Sequence, residues 1–177
     1  MKKIFTLLLL IVPALLWAQE DRVYKNLSEV KDPLAVYQLK LTHKRLKKVP
    51  PEVLTFKNLR VLDLGKNRIV TLPPEIGDLS SLEVLNLQRN HLTSVTPEIG
   101  RLKQLKRLDL SRNPLLELPD EMGTLDSLQT LVLWSTGIVS FPPTFVALDS
   151  HLKLLDMRVC PMNYDDQQAI DDLCLQL

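Results

Sequence analysis

The chain has 177 residues, a length that fits one domain of ordinary size. It carries 22 Lys and Arg residues against 21 Asp and Glu residues, which gives a formal net charge of +1 at pH 7. This balance argues against a nucleic-acid-binding protein, because such proteins usually carry a strongly basic domain or stripe.

The first 18 residues have the features of a secretory signal peptide. Lys2 and Lys3 supply the basic start, and residues 4–17 are apolar except for one threonine and one proline. The apolar stretch is shorter than the roughly 20 residues that a membrane-spanning helix needs. A small residue, Ala18, stands at the expected cleavage site, so we predict a mature chain that starts at Gln19 and is not inserted in the membrane.

The mature chain is then expected in the periplasm or outside the cell, and the sequence leaves both open. Cleavage removes two lysines, which leaves 22 − 2 = 20 basic residues against 21 acidic ones. The Lys-Lys start and the Ala-Gln cleavage site look like those of Gram-negative bacteria. Residues 19–35 are predicted to form a helical N-terminal cap, because Val23, Tyr24, Leu27 and Val30 have helix-like spacing.

A repeat of 23 residues organises most of the chain. Copies begin at Leu59, Leu82, Leu105 and Leu128, and the first of these copies reads LxxLxLxxNxLxxLPxxIxxL. A degraded copy precedes them from Val36, and a truncated copy follows at Leu152 after an inserted histidine. We therefore predict about six coils over residues 36–162.

Each part of the repeat has a physical reason. The alternating pattern predicts a short strand that points Leu62 and Leu64 inward. The amide of Asn67 is expected to satisfy buried backbone groups at the turn, and the step from Leu72 to Pro73 is expected to end the strand segment. One coil buries too little apolar surface to fold alone, so neighbouring coils must stack into a curved solenoid.

This pattern resembles the leucine-rich-repeat family over roughly residues 36–162. The resemblance implies an α/β solenoid with a parallel sheet on its concave face, and we expect helical caps at both ends. Asn67, Asn90 and Asn113 would form a structural asparagine ladder.

The chain is predicted to end in a capping helix over residues 163–177. Asn163 suits the helix N-cap, and one face of the segment is apolar. Cys160 falls in the ladder position of the last coil, and Cys174 falls on the apolar face of this helix. A disulfide between them is possible in an exported protein, and two buried free thiols are the alternative.

The sequence contains no recognisable catalytic apparatus. His43, His91 and His151 occupy unrelated positions of different coils, and no phosphate-binding loop, H-E-x-x-H or G-x-S-x-G motif occurs. We therefore expect neither an enzyme, nor a metal site, nor a cofactor. A ubiquitin-ligase activity, as carried by some secreted bacterial repeat proteins, is disfavoured because no segment beyond the cap could hold a catalytic domain.

The outward strand positions are the expected binding surface, because stacked strands join them into one concave face. Two side-by-side columns carry most of the charge. The alternative interpretation is that these charges only keep the surface soluble. The predicted binding residues are Asp63, Lys66, Asn86, Arg89, Asp109, Arg112, Val132, Trp134 and Arg158.

Trp134 is the most informative of these residues. It aligns with Gly65, Gln88 and Ser111, so it should project from the concave face near Arg112 and Arg158. Tryptophan and arginine are enriched at binding hot spots. The alternative is that the ring covers the defect left where Thr136 replaces the ladder asparagine.

These observations favour a non-catalytic extracytoplasmic module that binds a protein or peptide, since the resemblance implies protein binding. The expected state is a monomer without a nucleic-acid partner. A structural or surface-assembly protein that self-associates without a discrete ligand is the alternative.

Overall fold

A computed structural model describes residues 20–148, 150–158 and 160. Seven short strands within these residues form one parallel, curved sheet in sequence order, β1 to β7. This arrangement confirms the predicted solenoid. The strands are β1 (Val23–Tyr24), β2 (Gln38–Lys40), β3 (Val61–Asp63), β4 (Val84–Asn86), β5 (Arg107–Asp109), β6 (Thr130–Val132) and β7 (Leu154–Asp156).

The strands are in register with the repeat. Leu62 of β3 pairs with Leu39 of β2 and with Leu85 of β4, so the same position of each coil lies beside its equivalents. Because side chains alternate along a strand, the central leucines all point to one side. Those of β2 to β6 are essentially inaccessible to solvent, as the spacing predicts, whereas Leu155 of β7 is partly buried.

The core is a stack of equivalent apolar layers. In the coil of β3, the side chains from Leu59 to Leu79 that the repeat marks as apolar are buried. Each layer packs on the next, so the stack supplies the burial that one coil lacks. The core residues of this coil are Leu59, Leu62, Leu64, Ile69, Leu72, Ile76 and Leu79.

Short 3₁₀ helices lie on the convex side opposite the sheet. A proline stands at the first helical position in most of them, where its fixed φ suits the helix and its missing N–H costs nothing. The convex helices are Pro51–Thr55, Pro74–Asp78, Pro97–Arg101, Asp120–Thr124 and Pro143–Leu148.

Glycines allow these helices to pack closely. A Cβ atom on Gly77 would lie 2.4 Å from the backbone oxygen of Glu98, and one on Gly123 would lie 2.2 Å from that of Thr144. A Cβ atom on Gly100 would lie 2.7 Å from the backbone oxygen of Glu121. Side chains at these positions would therefore force neighbouring coils apart.

Two expectations about local structure are wrong. Residues 23–30 do not form a helix, since Val23 and Tyr24 extend the sheet as β1 and only Leu27–Glu29 forms a single 3₁₀ turn. Pairing with β2 satisfies the backbone of Val23 and Tyr24 and buries the tyrosine, which the apolar spacing alone could not reveal.

The Leu-Pro step also has a different role from the one expected. Strand β3 ends at Asp63, well before Pro73, because Lys66 adopts a left-handed backbone with a φ of 56° and turns the chain out of the sheet. Pro73 instead precedes the convex helix Pro74–Asp78.

The predicted signal peptide and the predicted C-terminal helix, including Cys174, lie outside the described residues. Among the residues that the structure describes, no helix has the length and apolar character needed to cross a membrane.

Candidate functional site

The asparagine ladder holds the turns that follow the strands. Nδ2 of Asn90 donates to the backbone oxygens of Leu64 (3.0 Å) in the preceding coil and of Leu87 (2.9 Å) in its own coil. Its Oδ1 accepts from the backbone N–H of Ile69 (3.0 Å). Asn67 and Asn113 are likewise buried and make the equivalent contacts. These hydrogen bonds therefore hold the turns on which the candidate site stands.

The ladder changes chemistry in the last two coils. Thr136 takes the place of an asparagine, and its hydroxyl lies 3.3 Å from the Cys160 thiol. The thiol in turn donates to the backbone oxygen of Leu133 (3.2 Å), as an asparagine amide does in earlier coils. Within the described residues Cys160 is a free thiol, and its predicted bridge to Cys174 stays a prediction.

A column of left-handed residues lies at the end of the strands. Lys66, Arg89 and Arg112 have φ values of 56°, 52° and 54°, and His43 and Ser135 share this conformation. Such a backbone is unusual for residues other than glycine. Hydrogen bonds hold it, because the N–H of each basic residue donates to the next coil, as from Arg112 to Trp134 (3.0 Å).

The middle outward position of the strands, occupied by Asp63, Asn86 and Asp109 in β3 to β5, is less free for binding than the sequence suggests. Oδ1 of Asp63 accepts from the N–H of Gly65, and Oδ1 of Asn86 accepts from that of Gln88. Asp109 accepts from both the N–H and the hydroxyl of Ser111. These side chains close the ends of their own strands, so part of their hydrogen-bonding capacity is used within the fold.

Two predicted contact residues are also more buried than expected. Asp109 is 8% exposed and Val132 is 6% exposed, although both were expected to be open to a partner. Each lies on an inner strand of the sheet, flanked by strands on both sides.

Trp134 and Arg112 form the one cation–π contact among the predicted binding residues. The guanidinium carbon of Arg112 lies 4.3 Å from the centroid of the Trp134 ring. Trp134 is half-buried and Arg112 is exposed. The ring therefore lies beside Arg112, which comes from the left-handed position of the preceding coil, and its role as a binding residue stays a prediction.

Arg158 contacts a strand carboxylate. Its Nε and Nη2 donate to Oδ1 (2.9 Å) and Oδ2 (2.8 Å) of Asp156, so it forms a two-point contact with the last strand. The hydrogen bond from Arg158 holds the pKa of Asp156 below its ordinary value, and the same contact raises the pKa of Arg158.

The predicted site thus divides into two parts. Arg112 and Trp134 form a local patch, while Lys66 and Arg89 extend the basic column away from it as exposed side chains. A shallow cavity of about 440 Å³ adjoins the patch. It is lined by Arg112, Asn113, Pro114, Ser135, Thr136 and Gly137.

Sequence reasoning did not find this cavity. Two residues could have indicated it: Pro114 and Gly137 occupy the repeat position at which earlier coils carry Arg68 and His91. These smaller side chains leave room beside the arginine and the tryptophan.

The three histidines lie apart from this patch. His43 and His91 are exposed, whereas the His151 ring lies against the backbone oxygen of Leu125 (3.1 Å). Within the described part of the chain, no group of three or more His, Cys, Asp or Glu residues is placed to hold a metal ion.

Comparison with known proteins identifies the repeat. The model of the leucine-rich-repeat family matches residues 35–92, 57–115 and 80–138, which together span more than half of the chain. No sequence among the curated proteins matches the chain significantly.

Several solved structures are similar to this chain. A leucine-rich-repeat protein of Leptospira interrogans is 26% identical with a TM-score of 0.54, over 81% of this chain and 48% of its own. The ectodomain of a plant membrane receptor kinase from Arabidopsis thaliana, in complex with Casparian strip integrity factor 2, is 34% identical with a TM-score of 0.63. That match covers 75% of this chain and 17% of the ectodomain.

An internalin of Listeria monocytogenes shares the fold, with 18% identity and a TM-score of 0.69 over 84% of this chain and 42% of its own. The chain spans less than half the length of each of these three structures. The family model, the period of the repeat and the parallel sheet agree. The chain therefore belongs to the leucine-rich-repeat family.

Proposed function

We propose that this chain is a non-catalytic, extracytoplasmic module that binds a protein or peptide through the concave face of its solenoid. The contact between Arg112 and Trp134 carries the proposal. A half-buried tryptophan stacked by an exposed arginine combines the two residue types that most often dominate binding energy.

The geometry suits a polypeptide ligand. The indole ring offers apolar area at a small cost in conformational entropy. The guanidinium N–H groups of Arg112 can still donate to carbonyl or carboxylate oxygens of a partner, because stacking on the indole ring does not use them in ordinary hydrogen bonds. The cavity of about 440 Å³ beside the pair would admit a side chain of the partner.

Similar structures support a polypeptide partner. The Arabidopsis thaliana ectodomain was solved in complex with Casparian strip integrity factor 2, and a plant peptide hormone receptor was solved in complex with the peptide RGF2. The receptor is 27% identical to this chain with a TM-score of 0.58, over 68% of this chain and 19% of its own.

A capture experiment tests the proposal. The mature chain, residues 19–177, would be immobilised and the captured protein identified and purified. Its affinity would then be measured for the parent chain, for Trp134→Ala with Arg112→Glu, and for a control with Arg101→Glu on the convex side. We expect the double variant to lose at least about 2 kcal/mol of binding free energy, as hot-spot residues do. Equal affinity for all three proteins would overturn the concave-face proposal.

Self-association is the competing outcome. If sedimentation of the mature chain shows concentration-dependent assembly and no partner is captured, the molecule is a structural component instead.

A further inference from the structure

One flank of the first two coils carries a cluster of basic side chains. The flank is the segment of each coil that runs from the end of a strand to the convex helix. Besides Lys44, whose Nζ donates to Oδ1 of Asn26 (2.6 Å), five exposed basic side chains lie there. We call them the basic flank: Arg45, Lys47, Lys48, Lys66 and Arg68.

The side chains of the basic flank form no ion pairs with the described residues. Some other basic side chains do meet carboxylates, as with Lys106 and Glu83 (2.6 Å) or Arg158 and Asp156 (2.8 Å). In the part of the chain that the structure describes, no carboxylate lies within 4.0 Å of a basic-flank side chain. The near-neutral total charge therefore hides a local excess of positive charge.

A cavity adjoins the basic flank. Its volume is about 580 Å³, and Lys48 belongs to both the cavity wall and the basic flank. Aliphatic and proline side chains dominate the wall, with a threonine and a glutamate at its edge. The lining residues are Lys48, Val49, Pro51, Leu54, Thr71, Pro73 and Glu75. This volume lies within the range of ligand-binding pockets.

One departure from the repeat lies in the wall of this cavity. Leu54 stands at the position that Gly77, Gly100 and Gly123 occupy in later coils. Those glycines let consecutive convex helices touch backbone to backbone. With a leucine in that place, the helix Pro51–Thr55 packs far more loosely against Pro74–Asp78 than later helices pack against one another. The first two coils thus part on the convex side, where the cavity lies.

We propose that the basic flank and this cavity together bind an acidic peptide segment that carries one large apolar side chain. The apolar side chain enters the cavity between the first two coils, and the neighbouring carboxylates contact Arg45, Lys47, Lys48, Lys66 and Arg68. This surface is separate from the patch of Arg112 and Trp134, so it does not depend on the proposed function.

The composition of the site favours a peptide over other anions. Residues 41–55 and 64–75 contain no Phe, Tyr or Trp, so the surface lacks the aromatic platforms on which unpaired bases stack. The cavity wall includes Thr71 and Glu75, whose oxygens can accept peptide N–H groups, whereas an acyl chain would leave them without partners.

Fluorescence anisotropy with defined probes tests the site on the mature chain. The probe is a fluorescein-labelled peptide of six glutamates around one central tryptophan. One comparison peptide replaces the tryptophan by alanine, and another replaces the glutamates by lysines. We expect the tryptophan peptide to bind about tenfold or more tightly than its alanine counterpart, because burial of a large apolar side chain contributes more than 1.4 kcal/mol. The lysine peptide should not bind.

Charge-reversal variants locate the contact. Lys47→Glu, Lys48→Glu and Arg68→Glu together should weaken binding about tenfold or more, since each exposed ion pair contributes up to about 1 kcal/mol. The matched control reverses the exposed Lys31, Lys57 and Lys153, which changes the net charge equally. The control should retain the parent affinity.

Two further variants test the cavity. Thr71→Trp fills it from the rim, and Leu54→Gly restores the glycine of the later coils. Both should remove the preference for the tryptophan peptide while the thermal unfolding temperature shows that each variant is folded.

Several results would overturn the proposal. These are equal binding of the tryptophan and alanine peptides, unchanged affinity in the basic-flank variant, or tighter binding to phosphatidylglycerol vesicles or duplex DNA than to the peptide. Loss of peptide binding in the variant Trp134→Ala would also overturn it, because the site would then coincide with the concave patch.

Discussion

Buried asparagines decide how the coils connect. Asn90 hydrogen-bonds backbone groups of its own coil and of the preceding coil, and it is 5% exposed. The recurrence of asparagine every 23 residues was enough to predict this role, because a buried amide must find partners. The same alignment placed Cys160 at the ladder position of the last coil, where its thiol donates to the Leu133 oxygen.

Substitution of one ladder asparagine should be costly. In Asn90→Ala the backbone N–H of Ile69 loses its acceptor in a buried place, so we expect the free energy of unfolding to fall by about 2 kcal/mol or more. Urea unfolding followed by circular dichroism measures this change. Gln104→Ala, at an exposed position, is the control and should differ little from the parent. Equal stability of both variants would show that the ladder does not hold the coils.

The ion pair of Arg158 and Asp156 gives a pH dependence. The hydrogen bond from Arg158 lowers the pKa of Asp156 in the folded protein. The stabilisation by this pair is therefore present above the pKa that Asp156 has in the unfolded chain, and it is lost as the pH falls through the pKa of the folded state. Titration of the Asp156 carboxyl by NMR should show a higher midpoint in Arg158→Gln. An unchanged midpoint would mean that the pair does not form in solution.

The contact between Arg112 and Trp134 could be anticipated only in part. Alignment of the coils places Arg112 just after β5 and Trp134 just after the neighbouring strand β6. The left-handed backbone of Arg112, however, sets the direction of its side chain. That conformation is fixed by a hydrogen bond between coils, which no local sequence pattern specifies. For the same reason, the sequence could not show that Arg158 contacts Asp156.

Packing of the convex helices depends on glycines that look unremarkable in the repeat. Gly77, Gly100 and Gly123 recur every 23 residues at a position that the consensus treats as variable. Their role appears only from the approach of the next coil, such as that of the Thr144 backbone to Gly123. Strands and core layers, by contrast, follow directly from the apolar spacing.

A methyl group at one of these glycines should separate two coils. Gly123→Ala places a Cβ atom against the backbone of Thr144, so we expect a loss of about 1 to 3 kcal/mol in the free energy of unfolding, as for overpacked cores. Gly65→Ala is the control, because its Cβ atom would meet only side-chain atoms, the closest at 3.2 Å. Chemical denaturation compares the two. Greater loss in Gly65→Ala than in Gly123→Ala would contradict the packing account.

The N-terminal element shows where element prediction fails. Apolar residues at positions 23, 24, 27 and 30 fit a helix, but they also fit a short strand followed by one 3₁₀ turn. The available edge of β2 decides between them, because its backbone groups need partners.

At the scale of the whole molecule, the charge is segregated. Five unpaired basic side chains lie on one flank of the first two coils, whereas Lys40, Arg107 and Arg158 lie close to strand carboxylates. A count of charged residues averages over these surfaces, which is why composition indicated no particular partner.

The predicted signal peptide implies a defined N-terminus for the exported chain. Expressed with its own leader in a Gram-negative host, the protein should be processed and start at Gln19, which N-terminal sequencing determines. A variant with Leu8→Arg and Leu9→Arg, which interrupts the apolar stretch, should remain unprocessed. A product of the parent that starts at Met1 would contradict export.

The most direct test of the central claim uses the tryptophan itself. Of the two tryptophans in the chain, Trp17 lies in the predicted signal peptide, so Trp134 is the sole tryptophan of residues 19–177. Its fluorescence therefore reports on the concave patch during titration with the captured partner. The titration uses a domain of the partner that contains no tryptophan, so that all of the emission comes from Trp134. We predict a saturable blue shift of the emission, with the same midpoint as an independent binding measurement. Binding without any change in Trp134 emission would contradict recognition through this face.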